Sequence, residues 1–125
     1  LVIPGGVVAA ELKRDAILQW IARQAVTSAI TASVCTGAFL LGKAGLLTGK
    51  TITTHWEDVE DFKALFPEIP VQGERRWIDS GPVVTSAGIS AGLDMSLHLV
   101  ERLEGEALAI QTARQMDYDW RRSPG

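Results

Sequence analysis

The chain has a single cysteine, Cys35, and its neighbours make it the first residue to read for chemistry. In Ala32-Ser33-Val34-Cys35-Thr36-Gly37-Ala38-Phe39 a small, β-branched run meets an apolar, helix-like run with no loop between them. Only a sharp turn can join the two, and Cys35 is its pivot. Such a turn lifts the sulfur off the backbone into a crevice. It also sets the thiol at the start of a helix, where unpaired N–H groups and the helix dipole favour thiolate. The same N–H groups could hold an anionic intermediate. Gly37, two residues on, is expected to keep side-chain bulk away from the pivot. The competing reading is a small buried hydrophobe, a common fate of free cysteine. Spacing alone leaves both open.

The elements around Cys35 decide what else could act with it. Leu1–Pro4, Ala29–Val34 and Thr51–Thr54 read as short strands, and Arg76–Asp79 with Val83–Ser86 as a hairpin about Ser80-Gly81. Helical spacing runs through Leu12–Val26, with Leu12, Ala16 and Trp20, joined by Ile17 and Ile21, on the inner side. It recurs in Thr36–Leu47, Glu57–Phe66, Ala91–Leu103 (capped by Ser90, ended by Gly105) and Glu106–Tyr118. Strands alternating with helices, and apolar on both faces, predict an α/β fold with a mainly parallel sheet covered on both sides. In such sheets ligands bind beyond the carboxyl ends of the strands. The residues there are Gly5 and Gly6, Cys35 and Thr36, His55 and Trp56, and Ala87 to Ile89. The turn at Cys35 resembles the nucleophile elbow of hydrolases, with Ser33 where that pattern has its first glycine.

Composition excludes several classes. The 125 residues suit one domain or part of one, and carry a net charge of −3 from 12 basic and 15 acidic side chains. No basic stripe supports nucleic-acid binding, and no apolar run is long enough to span a bilayer. One cysteine and two histidines give neither a disulfide framework nor an all-protein metal site. A lone thiol makes the cytoplasm the default compartment. Gly45-Leu46-Leu47-Thr48-Gly49-Lys50-Thr51 mimics a phosphate loop, but Ala44 holds the first-glycine position and the helix precedes the strand. Glu57, Asp58, Glu60 and Asp61 suit the start of a helix. Asp94 reads as a helix-dipole or capping residue, Trp20, Trp77 and Trp120 as core or interface aromatics, and Arg75-Arg76 as solvated. His98, inside a helix, reads as structural; His55 is open between a structural and a substrate-facing role.

Five ordered motifs then form a pattern: Val2-Ile3-Pro4-Gly5-Gly6, Ser33-Val34-Cys35-Thr36-Gly37-Ala38-Phe39-Leu40-Leu41, Ala44-Gly45-Leu46-Leu47-Thr48-Gly49, Thr53-Thr54-His55-Trp56 and Thr85-Ser86-Ala87-Gly88-Ile89-Ser90-Ala91-Gly92-Leu93-Asp94. Together they resemble the ThiJ/PfpI superfamily, relatives of class I glutamine amidotransferases, and within it the isonitrile hydratase-like branch. The resemblance implies a flavodoxin-like three-layer sandwich, a homodimer and a small-molecule substrate, with no metal or organic cofactor. It implies that Cys35 is the nucleophile and that the N–H groups of Gly6 and Thr36 form an anion pocket. His55 and Trp56 match a pair near the site, and Ile89 a pocket-lining position. Two departures matter. Thr36 stands where protease-like members have His, which removes the base of a peptidase. The family's acidic residue on an N-terminal loop has no counterpart here. The expectation is therefore a partial domain over residues 1–125, with N-terminal strands and the acidic loop preceding Leu1.

The branch implies addition of the Cys35 thiolate to the terminal carbon of an isonitrile, protonation to a thioimidate, then hydration and loss of the thiol. The product is an N-substituted formamide. A reading from another class competes with it: similar domains, with a very similar Cys-Thr-Gly segment and Thr-Thr-His-Trp, form the N-terminal, ligand-sensing or dimerisation half of AraC-type transcription regulators. The ending Gln115-Met116-Asp117-Tyr118-Asp119-Trp120 favours the stand-alone enzyme. A deglycase- or glyoxalase-like activity is a third reading.

Overall fold

A computed structural model describes residues 1–125. Its sheet has four strands: β1 (Val2–Ile3), β2 (Thr31–Val34), β3 (Trp77–Asp79) and β4 (Val83–Ser86), in the order β1-β2-β4-β3. β1, β2 and β4 are parallel, with Ile3 opposite Ser33 and Val34 opposite Ser86. β3 returns antiparallel on β4 through the expected hairpin. Alternation along each strand sends neighbouring side chains to opposite faces. Ile3 and Val83 join one core with Leu41, Leu47, Phe62 and Phe66. Ala32 and Val84 join a second with Trp77, Met95 and Leu99. Helices α1 (Asp15–Thr27), α2 (Gly37–Lys43) and α3 (Val59–Leu65) supply the first layer, and α4 (Ser90–Glu104) covers the second core, with α5 (Glu106–Gln115) packed on α4. The result is an α/β sheet covered on both faces. No helix is long and apolar enough to cross a membrane.

Several expected elements take a different form. Thr51–Thr54 is no strand: only Ile52 bridges, to Val71. The Thr53 N–H instead donates to the Thr85 hydroxyl at 2.9 Å, so side chains replace the ladder. α2 stops at Lys43 rather than Leu47 because Leu46 N–H bonds to Leu41 C=O and Gly45 N–H to Gly42 C=O, with Gly45 at φ +79°. That is a Schellman cap. The same cap ends α5 at Gln115 rather than Tyr118, with Asp117 at φ +52° and Tyr118 N–H bonded to Ala113 C=O. α1 has the expected period and part of the expected inner face: Ile21 is buried and Ile17 packs on the core, but Leu18 is buried too, while Ala16 and Trp20 face outward. Ser90 begins α4 without capping it; the residue in the cap position is Ile89.

The C-terminal segment is held by Asp94, which the sequence reads as a helix-dipole or capping residue. Asp94 is fully buried on α4. It accepts from Arg76 Nε (2.9 Å), Tyr118 Oη (3.1 Å) and Arg121 N–H (2.9 Å), and its carbonyl accepts from Trp120 Nε1. Burial, reinforced by the bond to this carboxylate, holds the Tyr118 hydroxyl above its ordinary pKa. Arg76 is thus a paired residue, not a solvated one. A buried carboxylate needs such a set of partners, because an unpaired one would shed its charge.

Candidate active site

Cys35 lies between β2 and α2 with φ +56°, the left-handed region that non-glycine residues rarely adopt. Bonds on either side hold it there. The Cys35 N–H donates to Ser86 C=O on β4 at 3.1 Å. The Cys35 carbonyl accepts from the buried Thr54 hydroxyl at 2.9 Å. The residue is half-buried, on the wall of an open crevice of about 500 Å³ beyond the carboxyl ends of β1, β2 and β4. A void therefore stands beside the thiol, and the buried-hydrophobe reading of Cys35 does not describe this site.

The glycine that faces Cys35 is Gly5, not Gly37. A Cβ on Gly5 would come within 2.8 Å of Cys35 Cβ and 3.1 Å of Thr36 N. A Cβ on Gly37 would instead collide with the Ile3 carbonyl oxygen, so Gly37 lets α2 start directly against β1. Thr36 ties the two sides together. Its hydroxyl accepts from Gly6 N–H at 2.9 Å and donates to Gly6 C=O at 2.7 Å. Of the two expected anion donors, the Gly6 N–H is thereby engaged, while the Thr36 N–H has no acceptor in the chain.

Gly6, Cys35, Thr36, His55 and Ile89 all line this crevice. Trp56 does not. It is 72% exposed and borders an adjoining hollow of about 410 Å³ with Arg75, Arg76 and Gly88. His55 and Ile89 line both spaces. The His55 ring packs on Gly88, where a Cβ would collide with it. Its Nδ1 accepts from Glu57 N–H at 3.3 Å and lies 3.4 Å from Asp58 Oδ2. Ile89 stands at φ +43°, ψ −85°, a strained conformation for a β-branched residue, and is 80% exposed. Strained residues gather at functional sites, and two of the three non-glycine residues with positive φ line this one crevice.

Two features escape a reading of spacing. Glu57 and Asp58 line the crevice as well as opening a helix; the 3₁₀ turn Trp56–Asp58 ahead of α3 points them there. Thr54 reaches Cys35 across 19 positions. Their only signal in the sequence is adjacency to His55. No group of His, Cys, Asp and Glu residues is arranged to hold a metal ion.

The DJ-1/PfpI family model matches residues 1–102. The isonitrile hydratase of Pseudomonas putida is 38% identical over 117 residues, covering 93% of this chain and 50% of that protein. The HTH-type transcriptional regulator CdhR of Pseudomonas aeruginosa is 36% identical over 100 residues, 80% of this chain and 30% of the regulator. Among solved structures, a THiJ/PfpI family protein from Pseudomonas syringae superposes with a TM-score of 0.83 at 32% identity, over 94% of this chain and 49% of that one. The chain spans half or less of the length of these relatives.

Proposed function

The chain belongs to the DJ-1/PfpI family, with its flavodoxin-like fold, and on that premise we propose that it carries the nucleophilic half of an isonitrile hydratase-like site. The observation that carries the reading is Cys35 in a left-handed conformation at an open crevice, next to an N–H with no acceptor. An isonitrile R–N≡C offers an electrophilic terminal carbon. The Cys35 thiolate forms an S–C bond to that carbon, and a proton delivered to the same carbon gives the thioimidate R–N=CH–S–Cys35. Water adds to the C=N bond, nitrogen takes the second proton, and the S–C bond breaks. The products are the formamide R–NH–CHO and the regenerated thiol. The Thr36 N–H stabilises negative charge as it develops. The ionisable groups on the crevice wall that can move protons are His55, Glu57 and Asp58.

The 36% identity to a transcriptional regulator supports a second reading, in which the same crevice binds a small ligand without turnover. One experiment separates the two. The chain is mixed with a small alkyl isonitrile; proton NMR follows the formyl signal, and intact mass spectrometry follows Cys35. The enzyme reading expects formamide, or at least a stoichiometric adduct, from the native protein and neither from Cys35→Ala. Saturable binding with no adduct and no formamide would favour the sensor.

A further inference from the structure

We propose that Thr54 is a positioning residue for the nucleophile: its hydroxyl, by holding the Cys35 carbonyl, fixes the peptide plane whose other end is the Thr36 N–H. The inference rests on the reading of Cys35 as nucleophile and adds a residue to it. The Cys35 carbonyl and the Thr36 N–H belong to one planar trans peptide, so the two groups point in opposite directions. The carbonyl is turned inward, onto the fully buried Thr54 hydroxyl at 2.9 Å and the Ala38 N–H at 3.4 Å. The N–H is therefore turned outward, into the crevice that Thr36 lines. It has no acceptor in the chain, and Gly5 leaves open the space within 3.1 Å of it that a Cβ would take.

A left-handed cysteine would relax toward negative φ if nothing opposed it, and that relaxation would swing both the thiol and the N–H. The Ser86 carbonyl pins the N–H side of Cys35 and Thr54 pins the carbonyl side. Thr54 can serve as this anchor because its own segment is fixed. Thr53 N–H is bonded to Thr85 Oγ1, and Thr53 Oγ1 donates to Arg75 C=O at 3.3 Å. Thr54 lies in the core behind the crevice and is not among the residues that line it. Its effect on chemistry runs through the peptide it holds.

The test compares Thr54→Val, which keeps shape and loses the hydroxyl, with Thr54→Ser, which keeps the hydroxyl. The readout is the second-order rate of Cys35 alkylation by iodoacetamide across pH, with thermal unfolding measured in parallel. Thr54→Val is expected to slow alkylation about tenfold at neutral pH and to move the pH–rate profile to more alkaline values. Thr54→Ser should stay within about threefold of the native chain. Equal rates and profiles in all three proteins, with native alkylation fast, would overturn the role of Thr54 and leave the nucleophile intact. Slow alkylation of the native chain would instead overturn the reading of Cys35. If Thr54→Val does not fold, Thr54→Ala against Thr54→Ser gives the same comparison, and a Ser variant as slow as Ala contradicts the proposal.

Discussion

The chemistry proposed for this molecule turns on holding one residue where its backbone does not rest. A non-glycine residue in the left-handed region costs on the order of 1–3 kcal/mol, and Cys35 is kept there by hydrogen bonds at both ends. The close approach of Gly5 is the other requirement, because a Cβ there would press on Cys35 Cβ and crowd the Thr36 N–H. Gly5→Ala is expected to lower the Cys35 alkylation rate at least ~100-fold, since the added methyl meets Cys35 Cβ at 2.8 Å and must push the loop or the thiol aside. Comparison with Gly6→Ala is informative: Gly6 has nothing within 4 Å of a Cβ but has φ +137°, so its variant should act through backbone strain instead. An alkylation rate in Gly5→Ala equal to that of the native chain would refute the packing argument.

Elements show which parts of the fold a sequence can reveal. The elbow was legible because a β-type run and a helix met with no room for a loop. The hairpin was legible from Ser80-Gly81, and the strand faces from alternation. The inner face of α1 was legible only in part: Ile17 and Ile21 turn to the core as expected, but Trp20 and Leu18 are both apolar and only the neighbouring layer selects between them. The Schellman caps at Gly45 and Asp117 shortened two helices that propensity would have prolonged. Asp94 and Thr54 were illegible because their partners come from distant segments. The β3–α4 contact gives a pH prediction at this scale. Burial pushes the Asp79 carboxyl up, but His98 at 2.7 Å, the Gly81 N–H and Arg102 outweigh it, and the pKa falls below its ordinary 3.8. A carboxyl with a lowered folded-state pKa adds stability that is present above the unfolded value and is lost as pH falls through the folded one. The unfolding midpoint should therefore drop more steeply below roughly pH 4 in the native chain than in Asp79→Asn. Parallel acid profiles would show that the cluster contributes nothing.

The whole molecule divides its labour between packing and strain. Two cores, one under α1–α3 and one under α4, fix the sheet from both faces. Cys35 and Ile89 emerge in strained conformations at its carboxyl end, on one crevice. The packed layers must outweigh the cost of those conformations, so the reactive geometry should exist only while the sheet is intact. The most direct measurement is the alkylation rate of Cys35 in the folded chain, set against the same chain in concentrated urea at the same neutral pH. A folded rate about tenfold or more above the unfolded one is the expected result. A folded rate equal to or below it would mean that the fold shelters the sulfur rather than presenting it, and would contradict the account.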